Sequence, residues 1–111
     1  MAKDDYFVIM YRILAYLYAC LKKGADIDTD IISHKALNIP ERYWLEIIEN
    51  LITRGYIKGV TIVEVMNPAK NVIWDSPAIT QDGVQFMHEN SSMQRAYKTL
   101  KKFTDLIPGI F

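Results

Sequence analysis

Residues 40–57 read PERYWLEIIENLITRGYI, one amphipathic helix running into a strand. Trp44, Ile47, Ile48, Leu51 and Ile52 recur at i, i+3, i+4, i+7 and i+8, so they share one face of a helix with 3.6 residues per turn. Pro40 suits the first helical position, where its missing N–H costs nothing. At the other end Gly55 can take the left-handed conformation that closes a helix, with Tyr56 folding back on the last turn. Ile57 then opens an extended run.

Working towards the N-terminus, Leu37, Asn38, Ile39 and Pro40 form a tight connection, with Asn38 able to adopt left-handed geometry. Before it, Asp28 or Thr29 can cap a short helix through about residue 35 or 36. Two helices joined by so short a turn predict a helix-turn-helix. Asp26, Asp28 and Asp30 resemble the opening of a calcium loop. Ile31 stands where that loop needs glycine and Leu37 where it needs glutamate, so no metal site is expected.

Farther upstream a helix is predicted over residues 6 to 23. Asp4 and Asp5 lie at the positive end of its dipole, and Lys22 and Lys23 at the negative end before Gly24. Phe7, Met10, Ile13, Leu14, Leu17, Tyr18 and Leu21 form a wide apolar face. Val8, Ala15 and Ala19 form a second, narrower strip flanked by Tyr11, Arg12 and Tyr16. Either another helix of the same domain covers this strip, or it meets a partner or a second copy. On the second reading the interface candidates are Val8, Tyr11, Ala15, Tyr16 and Ala19, with Ile110 and Phe111 from the apolar tail.

Downstream, YIKGVTIVEVM is β-branched and extended, NPAKN at 67–71 interrupts it, and VIWD resumes before Ser76 and Pro77. The pattern predicts a hairpin with a loop of about five residues, in which Pro68 and Asn71 are turn formers. Thr80 can cap a helix through about residue 89, and Gly83 allows it a close approach to the sheet. Ser91 and Gln94 have capping-box spacing and open a last helix to about residue 107. Met93, Ala96, Tyr97, Leu100, Phe103 and Ile107 form its apolar stripe, Arg95, Lys98, Lys101 and Lys102 lie opposite, and Pro108 and Gly109 end it. The order of elements predicts one α+β domain over residues 1–111. It would be winged-helix-like: a three-helix bundle with a hairpin wing as its core at 5–80, and two further helices at about 80–89 and 91–107.

Composition narrows the function. The chain has 111 residues, half of them hydrophobic, which is enough for one core without disulfide or metal support. The 13 basic and 13 acidic side chains cancel, removing the net positive field that makes nucleic acid or an anionic membrane a default partner. Cys20 is the one cysteine, so no internal disulfide can form and a reducing cytoplasm is the expected setting. The start MAKDD is acidic, unlike a signal peptide, and residues 6–21 are too short for a membrane span and carry Arg12. His34 and His88 fall in different helices without partner residues, Cys20 lacks an activating neighbour, and no phosphate-binding glycine loop, HExxH or CxxC is present. No catalysis, cofactor or small-molecule ligand is expected.

From DDYFVIMYRILAYLYACLKKG through LNIPERYWLEIIENLITRGYIKGV and ITQDGVQFMHENSSM to the terminal IPGIF, the sequence resembles the YjcQ family of small proteins from Firmicutes and their phages. The resemblance implies a winged-helix-like fold, a phage or prophage origin and location in a bacterial host cell or phage particle. A role as a head or other structural protein has been suggested for the family, which defines no catalytic or ligand-binding residue.

A helix-turn-helix raises the expectation of DNA binding, with the second helix in the major groove and the wing on the backbone. The candidate contacts are Lys35, Arg42, Tyr43, Asn50, Arg54, Lys58 and Lys70. The outward set on the helix is Glu41, Arg42, Tyr43, Glu46, Glu49, Asn50 and Thr53, three acids against one arginine, which suits phosphate poorly. The residues therefore favour a protein partner or self-association over a DNA-binding regulator.

Overall fold

Residues 5–66 and 69–90 are the part of the chain described by a computed structural model. Helix α1 spans Tyr6–Lys23, starting after Asp5 and ending at Gly24, whose φ of 65° turns the chain out of the helix. Its residues 8 to 17 are buried without interruption, as expected for a helix with neighbours on more than one side. Val8, Tyr11, Ala15, Tyr16 and Ala19, the candidate partner-facing strip, are all interior at 0–7% exposure. The strip is therefore covered by its own chain and offers no open surface to a partner.

The short helix expected after residue 28 is divided in two. Asp28 accepts from the Asp30 N–H and caps a 3-10 turn at Thr29–Ile32. Ser33 then accepts from the Ala36 N–H and starts α2, His34–Leu37. The two polar caps, each accepting from a different backbone N–H, explain the break. Asn38 follows in the left-handed conformation with φ 57°. Pro40 is the N-cap rather than the first helical residue, so α3, Glu41–Thr53, starts one residue later than expected.

Strand β1, Ile57–Met66, pairs antiparallel with β2, Ala69–Ile79. The connection is tighter than the five residues expected, since Ala69, Lys70 and Asn71 already pair with Met66, Glu64 and Val63. Shorter connections are the commoner hairpin geometry, and the opposed Lys70 and Glu64 favour the pairing. At the other end β2 runs through Ser76 and Pro77, where a break in the extended pattern was expected. A register irregularity between Lys58 and Val60 accommodates them, with Gly59 at φ 74° against Ser76 at φ 53°. Such a bulge tolerates proline, whose missing N–H a regular ladder would need. Helix α4, Gln81–Glu89, is capped by the Thr80 hydroxyl, which accepts from the Gly83 N–H at 3.1 Å.

The core forms where α1, α3 and the base of the hairpin meet. Ile9, Ile13, Leu14 and Leu17 of α1 contribute to it, as do Trp44, Ile47, Ile48 and Leu51 of α3 and Ile57, Val60 and Ile79 of the sheet. On the inner hairpin face Ile62, Val72 and Trp74 pack against the core, while Val63, Val65 and Ile73 point outward. The described residues form an α+β fold of four α-helices and one two-stranded antiparallel hairpin, an order compatible with a winged-helix-like domain. The predicted helix at 91–107, its capping box and basic face, the tail residues Ile110 and Phe111, and the turn residue Pro68 lie outside the described residues.

Tyr16 ties α1 to the following turn, its hydroxyl accepting from the Asp28 N–H at 2.7 Å. Burial pushes its ionisation up to about 12. A phenol harder to ionise in the folded chain holds its proton where the unfolded chain has lost it, so its contribution is full below pH 10 and declines as pH rises towards 12. Tyr16→Phe should remove this part of the alkaline slope. The check is urea unfolding across that range, with an unchanged slope counting against the buried phenol.

Candidate interaction face around helix α3

The outer side of α3 is not a free helix face. The end of the hairpin stands across it, and the two elements enclose a groove of about 590 Å³ lined by Glu41, Arg42, Leu45, Glu46, Glu49, Ala69 and Lys70. The amphipathic pattern positions this lining: with Trp44, Ile47, Ile48 and Leu51 turned into the core, the positions between them must face out. Trp44 and Trp74 bring the hairpin close, their ring centroids 6.2 Å apart.

Two contacts engage the groove's acids. Lys70 Nζ lies 3.6 Å from Glu49 Oε2 across the groove, and His34 Nε2 lies 3.5 Å from Glu41 Oε2 at its N-terminal end. Glu46 and Arg42 are exposed. Three carboxylates against Arg42 and Lys70 leave the lining with a net negative charge. Both partners of the Lys70–Glu49 pair are substantially exposed, so solvent screens it. A double-mutant cycle with Lys70→Ala and Glu49→Ala should return a coupling of at most about 1 kcal/mol. A coupling well above that would mean the pair is far less hydrated than its exposure indicates.

The candidate DNA contacts fall at several places around α3. Arg42 and Lys70 line the groove, whereas Lys35 lies in a separate shallow cavity with His34, Asn38, Ile39 and Pro40. Arg54 and Lys58 are exposed at the junction of α3 and β1. Tyr43 and Asn50, expected on the outward face, are half-buried towards α1. The Tyr6 and Tyr43 ring centroids are 6.2 Å apart, and the Asn50 amide donates to the Tyr6 hydroxyl. That engagement ties the Asn50 amide to the start of α1. Reasoning from the sequence missed Leu45 and Ala69 as groove residues and Glu49 as the partner of Lys70. Only the acidic bias of the helix was visible there, since the pairing depends on where the hairpin ends.

Among the described residues no three or more His, Cys, Asp or Glu side chains are grouped so as to hold a metal ion. Among them, too, no helix is long and apolar enough to cross a membrane. Cys20 is buried, with its sulfur 4.0 Å from the Asp26 carbonyl oxygen.

Fold and face together define a small α+β domain whose exposed helix and hairpin enclose a weakly acidic groove. The chain belongs to the YjcQ family: the family model described as YjcQ protein matches residues 11–106. Comparison with curated proteins and with solved structures gave no match.

Proposed function

We propose that this chain is a non-enzymatic, winged-helix-like binding module that works through protein contacts, in the phage or prophage setting implied by its family resemblance. A virion-associated or other structural role fits this reading. The supporting observation is the groove side of α3. In a DNA-reading helix this side would carry cations and stand open; here it carries Glu41, Glu46 and Glu49, and Glu49 engages the lysine at the end of the hairpin. Phosphate contacts supply most non-specific affinity for duplex, and carboxylates facing a duplex oppose it.

The second reading, a small transcriptional regulator, draws on the helix pair followed by a hairpin and on the exposed Lys35, Arg42, Arg54 and Lys58. Anisotropy titration with random-sequence duplex at low salt separates the two. The native chain should show no binding, and Glu46→Lys with Glu49→Lys should create it by reversing the charge of the face. Saturable, salt-dependent binding by the native chain would overturn the protein-contact reading. Light scattering over a wide concentration range then distinguishes self-association from contact with a different protein.

A further inference from the structure

We propose that the groove between α3 and the hairpin end receives an extended basic segment of a protein partner, its lysine or arginine side chains on Glu46 and Glu49 and an aliphatic side chain over Leu45. This deepens the protein-contact reading and rests on it. Two independent elements build the groove, α3 supplying Glu41, Arg42, Leu45, Glu46 and Glu49 and β2 supplying Ala69 and Lys70. It is an open groove with a volume of about 590 Å³. Leu45 is half-buried and contacts the core from the groove side, giving an apolar surface between charged rims.

The chain itself shows how a basic side chain sits here, because Lys70 places its ammonium 3.6 Å from Glu49. The pair is solvated and weak, so an incoming cation can share or replace Lys70 at little cost. Glu46, one turn before Glu49, is exposed and makes no ion pair among the described residues. The two glutamates are separated by about 4.5 Å along the helix axis. Same-face side chains of an extended segment stand about 6.6 Å apart, a difference that flexible lysine or arginine stems can span. The net negative lining selects a basic segment, and an acidic one would meet Glu41 and Glu46 first.

The probe is a short fluorescein-labelled peptide of alternating lysine and valine, with its glutamate and valine counterpart as control, titrated by anisotropy at low salt. The basic peptide should bind saturably and the acidic one should not. Glu46→Lys and Glu49→Lys should each weaken binding by about tenfold or more. Glu89→Lys, the same charge change at an exposed position outside the groove, should alter it by less than about twofold. Absence of saturable binding to the native chain, or equal weakening by Glu89→Lys, overturns the proposal. Circular dichroism melts confirm that the variants fold. Failure of the broader reading shows instead as duplex binding by the native chain, so the two failures are separately visible.

Discussion

Replacing Trp44 by alanine should cost about 4 kcal/mol or more, a large part of the roughly 5–15 kcal/mol that a domain has to lose. Trp44 is 7% exposed, and its indole N–H donates to the Ile32 carbonyl at 2.8 Å. Its ring also lies 6.0 Å from His34 and 6.2 Å from Trp74, centroid to centroid. One side chain thus joins the 3-10 turn, α2, α3 and the hairpin. Truncation removes the apolar contacts, worth about 3–5 kcal/mol for an aromatic core residue. It also leaves the Ile32 carbonyl without its donor, a further cost of about 1–3 kcal/mol where water cannot replace it. Trp44→Phe keeps most of the packing and loses the hydrogen bond, so it should cost roughly half as much. Urea unfolding followed by circular dichroism measures both. A loss below about 1 kcal/mol for the alanine variant would show that these elements do not meet at Trp44.

The same residue shows how far the sequence carries. Its place on the inward face of a helix follows from the spacing of Trp44, Ile47, Ile48 and Leu51 alone, because helical geometry leaves one way to align them. The indole hydrogen bond to a carbonyl twelve residues earlier does not follow, because it depends on where a separately capped turn packs. Local chemistry was equally legible at Asn38 and Gly55, which take the left-handed conformation expected of them, and at Gly24, the expected stop of α1. It was least legible in the hairpin. There Asn71 and Pro77 looked like punctuation, but pairing with Val63 and a bulge opposite Gly59 absorb them into strands. Propensity describes one strand at a time, whereas the ladder satisfies two together.

For the α3 face, charge was legible and pairing was not. Three glutamates on one side of the helix follow from the helical period, which places them opposite the core. That Lys70 comes to Glu49, and that Tyr43 and Asn50 turn to Tyr6, are consequences of packing between elements far apart in the chain. These contacts decide what the face can do. They turn Tyr43 and Asn50 towards α1 and set a weak, solvated lysine beside Glu49, while the carboxylates Glu46 and Glu49 stay at the groove.

Gly83→Val should destabilise the domain by about 3 kcal/mol, and Gly83→Ala by about 1–2 kcal/mol, although either change raises intrinsic helix propensity. Gly83 is buried in α4, where an added Cβ would lie 2.4 Å from the Tyr56 carbonyl oxygen and 2.7 Å from Ile79 Cγ1. Alanine gains up to about 1 kcal/mol over glycine inside a helix, so the sign depends on whether those neighbours can yield. The carbonyl cannot move freely, because it accepts the Thr80 N–H at 3.0 Å. The Thr80 hydroxyl in turn donates to the Gly55 carbonyl and caps α4. Relief must therefore come from lifting α4, which separates the Tyr56 and Phe86 rings now 5.0 Å apart between centroids. Valine adds two methyl groups and a stiffer side chain at the same point, and so costs more. Gln85→Ala, at an exposed position of the same helix, should leave stability within about 0.5 kcal/mol of the native value. Urea midpoints for the three variants give the test. A Gly83→Ala variant as stable as the native chain would mean that α4 does not lie against the entry to β1, and the junction between the hairpin and the last described helix would need a different packing.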